Sequence, residues 1–299
     1  MYAITGATGN IGKAIAFDLL SKGKKVRAIG RNAERLKELA DKGAEIVIGD
    51  IYDSTFVQKA FAGCKAVFCL IPPNMQSTDF KRDQYKVADN YVNAVKVNKI
   101  KYVLLLSSIG AHLRNGAGIV DGLGYLEERF TELKDVNVLN LRCGYFMENL
   151  IGQLEMIKQT GVVGSSIKAN LQIPMVATKD IAEYATKRLF DLNFKGNTIE
   201  YILGPRDVTY TEATAIIAKA ICKPDLKYVE FTHEDAKNGM IHAGFVSRNV
   251  AELIVTMAEA INSGKAFAFT RTRENSSPTT VEEFVKLLKI KKRLTDLSA

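Results

Sequence analysis

A short apolar run, Met1 to Ile4, breaks at Thr5-Gly6-Ala7-Thr8-Gly9-Asn10-Ile11-Gly12 and resumes as an amphipathic segment, an order that few folds accommodate. Ile11, Ala14, Ile15, Leu19 and Leu20 recur at helical spacing, so the stretch reads as strand, glycine loop and helix. In that order each glycine has a job. Gly6 permits the tight turn after the strand, Gly9 lets the backbone approach a pyrophosphate, and Gly12 lets the helix pack close on the sheet. The helix N-terminus then turns free N–H groups and a positive dipole end toward the phosphates. Thr8, Asn10 and Ile11 complete the loop and are counted with the glycines as cofactor-binding residues. Glycines also collect in ordinary surface turns. Here, however, a second β-like run, Lys25 to Ile29, closes a βαβ unit of about thirty residues, as dinucleotide binding requires.

The alternation continues. The sequence predicts a helix over Asn32 to about Lys42, a strand Ala44 to Ile48 ending at Gly49-Asp50, and a helix Ser54 to Phe61. A strand Lys65 to Ile71 meets a Pro72-Pro73 break, a long helix runs from about Asp79 to Val97, and a strand Lys101 to Leu106 leads into Ser107-Ser108. Such a pattern specifies an α/β fold, a doubly wound parallel sheet with right-handed crossovers and helices on both faces. Ligands then sit at the carboxyl ends of the strands, where Arg31, Asp50, Ile71, Pro72, Ser107 and Ser108 fall.

Arg31 decides the cofactor. NAD-binding units place an acidic residue about twenty positions after the glycine loop, to hold the ribose 2′-OH. This chain has Gly30-Arg31 there, and a planar guanidinium pairs with a 2′-phosphate, so NADP(H) is expected, with Lys13 and Arg27 as supporting charge. Asp50 is placed near the adenine, although Gly-Asp after a strand is also a common turn. The two prolines are explained by a rigid turn alone.

The second half is less regular. It reads as a helix Asp121 to Leu133, a strand Asn137 to Leu141, and a helix opening at Arg142-Cys143-Gly144-Tyr145-Phe146-Met147-Glu148-Asn149 and running to about Gln159. A helix N-capped by Thr178 and a strand Thr198 to Leu203 return to the sheet. From Gly204 the chain reads as a smaller, mostly helical C-terminal lobe, with a helix after Thr209 or Thr211, a strand Leu226 to Phe231, helices from His233 and Val246, and a terminal helix opened by Thr279-Thr280. The expected division is a cofactor domain of residues 1–149 plus about 176–203, and a substrate lobe of about 150–175 plus 204–299. Without a low-complexity linker, the two should share an interface.

Composition narrows the function classes. No apolar run approaches bilayer-spanning length, and the glycine loop lies too near Met1 for a signal peptide to precede it, so a cytoplasmic protein without membrane contact is expected. Cys64, Cys69, Cys143 and Cys222 form no CxxC pair and read as buried free thiols, and His112, His233 and His242 lack ligand spacing, so no metal is expected. The net charge of +8 is spread along the chain. Its densest group, Lys286, Lys289, Lys291, Lys292 and Arg293, reads as a solvated helix face and not a nucleic-acid groove.

The glycine loop, Ser107-Ser108-Ile109-Gly110-Ala111, Leu141-Arg142 with Phe146-Met147-Glu148-Asn149, Lys179-Asp180-Ile181-Ala182, and Gly204-Pro205 with Thr209 together resemble the NmrA-like group of atypical short-chain dehydrogenase/reductases, over essentially the whole chain. The resemblance implies a Rossmann-type NADP-binding domain and a substrate cleft against a small lobe. It also implies one of two activities, NAD(P)H-dependent quinone or dye reduction, or redox sensing by a regulator that binds the dinucleotide and a protein partner without turnover. Reductases of the wider superfamily carry a Tyr-x-x-x-Lys pair after the fifth strand. Alignment on Glu127 puts Ile119 at the tyrosine place and Leu123 at the lysine place, and neither is an acid. The substitutes on offer are Tyr125 with Arg129 one helical turn on, and single donors from Ser107, His112 or Tyr145. A quinone-type acceptor can take its proton from water, so the expectation is a reductase of a small planar acceptor, with the non-catalytic sensor as the alternative and the oligomeric state open.

Overall fold

The computed structural model describes residues 1–288. Along the chain its strands are β1 Tyr2–Ile4, β2 Val26–Gly30, β3 Glu45–Ile48, β4 Ala66–Cys69, β5 Tyr102–Ser108, β6 Asn137–Cys143, β7 Tyr145–Phe146, β8 Val162–Ser165, β9 Met175–Val176, β10 Asn197–Ile202 and β11 Lys227–Glu230. Seven of them form one sheet in the order β10-β6-β5-β4-β1-β2-β3, and every neighbouring pair is parallel. The chain winds one way from β1 through β2 to β3 and the other way from β4 outward. That reversal opens a crevice at the carboxyl ends of β1 and β4, the place where such sheets bind ligands.

The helices are α1 Asn10–Ser21, α2 Lys37–Asp41, α3 Ser54–Phe61, α4 Phe80–Val97, α5 Asp121–Phe130, α6 Gln153–Thr160, α7 Thr178–Asp191, α8 Tyr210–Ile221, α9 His233–His242, α10 Arg248–Asn262 and α11 Val281–Leu287. Because successive residues of a strand face opposite ways, each inner strand supplies two cores. Phe68, Leu104 and Leu139 pack with Ile15 and Leu19 of α1 and Ile181 and Leu189 of α7 on one face. Val67, Val103 and Val138 pack with Phe61, Tyr91, Leu126 and Phe130 of α3, α4 and α5 on the other. Each such side chain, fully buried, contributes about 1.5–3 kcal/mol of hydrophobic stabilisation. A third core, with Leu154, Ile157, Val163, Ile217, Ile261 and Phe284, lies in the segments that follow the sheet.

The structure corrects several sequence expectations. The helix expected over Asn32 to Lys42 is a 3-10 turn, Glu34–Leu36, running into the short α2. Arg142 and Cys143 continue β6, and Tyr145–Phe146 pairs with Met175–Val176, so no helix opens before the 3-10 turn Met147–Leu150 and α6. Pairing partners distant in sequence decided these residues, which local pattern cannot register. The strand β8, unforeseen, pairs with β11, so the C-terminal lobe contains a small parallel sheet among its helices. Thr280, as expected, caps α11, in a capping box with Glu283. Cys222 is exposed at the C-terminal end of α8 with φ 58°, whereas Cys64, Cys69 and Cys143 are buried. The basic group Lys289, Lys291, Lys292 and Arg293 lies outside the described residues. Among the described residues no helix is long and apolar enough to cross a membrane, and no group of three or more His, Cys, Asp or Glu is placed to hold a metal ion.

Candidate active site

At the carboxyl end of β1, Thr5 bridges the crevice: its hydroxyl donates to the Phe68 carbonyl at 3.1 Å and accepts from the Leu70 N–H at 2.8 Å. Gly6 then turns the chain at φ +63°. A side chain at Gly12 would place its Cβ 2.4 Å from the Gly6 carbonyl oxygen, so only glycine lets α1 sit this close to the turn. Gly9 is different. It is the N-cap of α1 at φ −94° and ψ 171°, a conformation open to any residue, and a Cβ there would meet nothing nearer than the Gly6 carbonyl oxygen at 3.5 Å. Folding demands Gly6 and Gly12 but not Gly9. The cap offers no side-chain hydrogen bond and the first turn no acidic residue, so the opening N–H groups of α1 face outward unsatisfied beside a bare backbone. That is a cradle for a phosphate, and a side chain on Gly9 would fill it. Thr8 and Asn10 lie on its surface and Ile11 anchors it from below, buried.

The end of β2 supplies charge. Arg31 is exposed and makes no ion pair among the described residues. The chain then folds back, because the Asn32 side-chain oxygen accepts the Arg35 N–H at 3.1 Å, and Leu36 packs over Gly30 beside Thr8. This brings the Arg35 guanidinium to the glycine loop, 3.4 Å from the Thr8 carbonyl oxygen. Sequence reading missed Arg35, and the signal was Asn32, whose side chain readily closes such turns. The expected helpers are committed elsewhere. Lys13 pairs with Glu38 at 2.8 Å, and Arg27 pairs with Glu45 at 2.8 Å and donates to the Ala60 and Ala62 carbonyls. Asp50 is exposed, and its side chain accepts the Tyr52 N–H at 3.0 Å, the ordinary turn contact.

Beyond β4, Ile71 is buried and Pro72 half-buried, and the following loop is tied to the C-terminal lobe. Gln76 donates to the Gly244 and Phe245 carbonyls, the Ser247 N–H donates to Met75, and the Phe80 N–H donates to the Asn249 side chain at 2.9 Å. A Cβ on Gly118 would lie 1.9 Å from the Leu253 carbonyl, so α10 also rests directly on the segment after β5. The loops after β4 and β5 are thereby roofed by α9 and α10.

At the ends of β5 and β6 the polar groups are spoken for. Ser107 is buried, and its hydroxyl donates to Glu127 at 2.5 Å. Glu127 holds Arg142 along one guanidinium edge, accepting from Nε at 3.0 Å and Nη2 at 2.6 Å, and the Arg142 Nη1 reaches the Tyr201 hydroxyl, which donates to the Ala268 carbonyl. Ser107 therefore braces the floor, while Ser108, half-buried, has no such partner among the described residues. His112, half-buried just beyond, has its Nε2 3.1 Å from the Lys265 carbonyl, which fixes Nε2 as the protonated nitrogen. The Tyr145 hydroxyl is 2.7 Å from that of Tyr210, in the third core, and burial pushes its acidity down. Tyr125 lies two positions from Glu127 on α5, hence on a different side of the helix. Its hydroxyl donates to Asp89 of α4 at 3.1 Å, and its ring packs on Tyr85. Leu123 joins the apolar core of that face, and Ile119 packs under α10 with Phe80 and Val250.

The Phe146-Met147-Glu148-Asn149 segment has a structural role. Glu148 accepts both the N–H (3.1 Å) and the hydroxyl (2.5 Å) of Thr178. Thr178 is thus not the N-cap of α7. It is the first helical residue, Ala177 occupies the cap, and a carboxylate from thirty positions back does the capping. Burial raises the Glu148 pKa above the ordinary carboxylate value, and the Thr178 hydrogen bonds oppose that rise. Asp180, also buried, accepts the N–H and hydroxyl of Thr279, tying the entry to α11 to α7.

With this geometry in hand, comparison with known proteins is direct. The family model described as NmrA-like family matches residues 2–285. The NAD(P)H azoreductase of Xenophilus azovorans is 24% identical over 268 residues, covering 90% of this chain and 87% of that protein. The prestalk A differentiation protein A of Dictyostelium discoideum is 23% identical over 289 residues, covering 95% and 90%. Among solved structures, the Citrobacter sp. triphenylmethane reductase complexed with NADP(H) matches with a TM-score of 0.79 and 23% identity, over 96% of this chain and 99% of that one. The NADPH-dependent quinone oxidoreductase of Escherichia coli, complexed with NADPH, matches with a TM-score of 0.79 and 20% identity over the same shares. At these identities the structural likeness is one of fold.

Proposed function

From the premise that the chain belongs to the NmrA-like family of NAD(P)H-dependent oxidoreductases, we propose that it is an NADPH-dependent reductase of a small planar acceptor such as a quinone or dye. The observation that carries the reading is the bare, uncapped start of α1 at Gly9, with the exposed guanidinium groups of Arg31 and Arg35 beside it. Backbone N–H groups from Asn10 onward would hold the pyrophosphate, the Gly9 N–H being taken by the Gly6 carbonyl, and the two arginines the adenosine 2′-phosphate. When bound, the cofactor supplies a hydride. The Ser107–Glu127–Arg142 floor holds the ends of β5 and β6 rigid, and the α9–α10 roof limits water. Protonation is left to water, because the Nε2–H of His112 is engaged by the Lys265 carbonyl, Tyr125 and Tyr145 are engaged elsewhere, and Ile119 and Leu123 carry no proton. An acceptor that becomes a stabilised anion on reduction needs no stronger acid. In this reading residues 1–149 with about 176–203 bind the cofactor, and the remaining residues form the acceptor side of the cleft.

The comparisons support the coarse part of this reading, since relatives named as azoreductase and quinone oxidoreductase share fold and length. The test is NADPH absorbance followed against a panel of quinones, azo and triphenylmethane dyes and aldehydes. Turnover with the planar acceptors and none with the aldehydes is expected. Tight binding of NADPH with no turnover of any acceptor would replace the reductase by a sensor.

A further inference from the structure

A line of hydroxyls crosses the third core. The Tyr145 hydroxyl is 2.7 Å from that of Tyr210, the first residue of α8, and Tyr210 is also hydrogen-bonded by the Ser165 side chain at the end of β8. Ser165 Oγ in turn lies 2.7 Å from the hydroxyl of Tyr228 on β11. The rings hold the line in place: Tyr210 stacks on Tyr228 with centroids 4.8 Å apart and meets Tyr145 edge-on at 6.2 Å. Tyr210 is buried, whereas Tyr145, Ser165 and Tyr228 are half-buried. The line therefore joins two partly open ends through a closed middle.

The ends lie in different parts of the molecule. Tyr145 stands two positions past the carboxyl end of β6 and packs on the same core as Leu113, which follows His112 in the segment after β5, so that end belongs to the cleft. The Tyr228 end belongs to the small sheet of β8 and β11. Phenylalanine at the three tyrosine positions would fill the same space with no polar atom to satisfy, so packing gives no reason for hydroxyls in a row. Burial raises the pKa of all three tyrosines, which keeps each a phenol with its proton in place at neutral pH.

We propose that this line is a proton relay, carrying a proton of water from the Tyr228 end to the reduced acceptor beside Tyr145. The inference rests on the reductase reading above, in which water is the proton source while the roof limits water in the cleft. A quinone that has taken a hydride is a hydroquinone anion. The Tyr145 O–H bond breaks as a new O–H bond forms on that anion, and Tyr145 takes the proton of Tyr210, Tyr210 that of Ser165, and Ser165 that of Tyr228. Water restores the Tyr228 proton and leaves as hydroxide. A hydroxyl can pass protons in this way because it donates and accepts at one atom. Tyr145 thereby differs from His112 and Tyr125, whose hydrogen bonds end on a carbonyl and a carboxylate.

The experiment uses two acceptors with different proton needs. A quinone takes a hydride and a proton, whereas a triphenylmethane dye cation takes a hydride alone and becomes neutral. Turnover of each at saturating NADPH is measured in light and heavy water, for the unaltered protein and for Tyr210→Phe, which keeps the ring and removes the middle hydroxyl. Quinone turnover should fall about a hundredfold, the low end for a positioned proton donor, while dye turnover stays within about twofold. The slower quinone reaction should also show a larger solvent isotope effect, and Ser165→Ala should give the same split at the next link. A loss shared equally by both acceptors, or a quinone loss without a solvent isotope effect, would make the line a structural network and overturn the relay. Quinone turnover that Tyr210→Phe leaves unchanged, or turnover of the dye alone by the unaltered protein, would overturn it too. No turnover of either acceptor by the unaltered protein would instead remove the reductase reading, and the relay with it, so the two failures are told apart.

Discussion

The glycine loop and the Ser107 network stand at the carboxyl ends of the same sheet and treat their polar groups in opposite ways. Around α1 the donors are left idle: the N-cap offers no side chain, and Arg31 has no partner among the described residues. Around Ser107 every donor is consumed, in a chain from Ser107 through Glu127 and Arg142 to Tyr201 and the Ala268 carbonyl. The contrast separates two uses of polar groups. A satisfied buried network fixes geometry, whereas unsatisfied donors on a rigid frame await something from outside.

The largest effect should come from breaking the satisfied end. Glu127→Ala leaves the Arg142 guanidinium buried without its carboxylate, and uncompensated buried charges of this kind cost about 3–5 kcal/mol. Denaturant unfolding should show that loss. A cost below about 1 kcal/mol, the range of exposed pairs, would mean that the network is not the brace described.

Gly9→Val probes the idle end and should behave in reverse. Its backbone angles accept valine and its Cβ meets no hard contact, so stability should be nearly unchanged. NADPH binding, by contrast, should fall by roughly a hundredfold, because the side chain fills the cradle that the pyrophosphate needs. Unchanged affinity in the folded variant would remove the glycine loop from the cofactor assignment.

Arg31→Ala and Arg35→Ala sharpen the same end. Each guanidinium should contribute a charge-assisted hydrogen bond worth roughly 1.5–3 kcal/mol, so each variant should bind NADPH about tenfold to a hundredfold more weakly at constant salt, with NADH scarcely affected. Equal losses for both cofactors would make these residues supports for the turn at Gly30 and not readers of the phosphate.

The two ends also differ in how far they could be read from sequence. Residues 5–12 are consecutive, and their strand, turn and helix follow from local apolar spacing and glycine placement, so the loop and the parallel sheet around it were legible. Arg35 was nearly so, hidden only by a turn that Asn32 closes. Glu127, Arg142 and Tyr201 are separated by 15 and 59 residues in the hydrogen bonds that join them, and no periodicity links them. The same holds for Glu148 capping α7 across thirty positions, where Thr178 alone looked like the cap. Local rules reach caps and turns made by near neighbours, and tertiary packing decides the rest.

Glu148 allows a test by pH. Burial raises its pKa above the ordinary carboxylate value, so over that interval the folded protein holds a proton that the unfolded chain has released. The stability it contributes is complete below the unfolded pKa and declines as pH rises through the folded one. Glu148→Gln, which keeps an acceptor for Thr178, should flatten that decline in unfolding curves taken from mildly acidic to neutral pH. Parallel curves for the two proteins would show that Thr178 compensates the burial fully.

Tyr125→Phe should do least, and it decides whether the satisfied end hides an acid. A catalytic tyrosine needs a neighbouring cation that favours its phenolate. Arg129 is on the same helix but is engaged by Asp89 at 2.8 Å and by Glu132, so its charge is already answered. The Tyr125 hydroxyl itself donates to Asp89, and burial, with that carboxylate, raises its pKa. Both effects oppose proton release. Removing the hydroxyl deletes one partly buried hydrogen bond, worth about 0.5–1.5 kcal/mol of stability, and should leave turnover within about twofold, far from the hundredfold or more typical of a lost general acid. A hundredfold loss of turnover in a variant of unchanged stability would put Tyr125 and Arg129 at the chemistry, and the polar network around α5 would then have to be reread as part of the site it was taken to support.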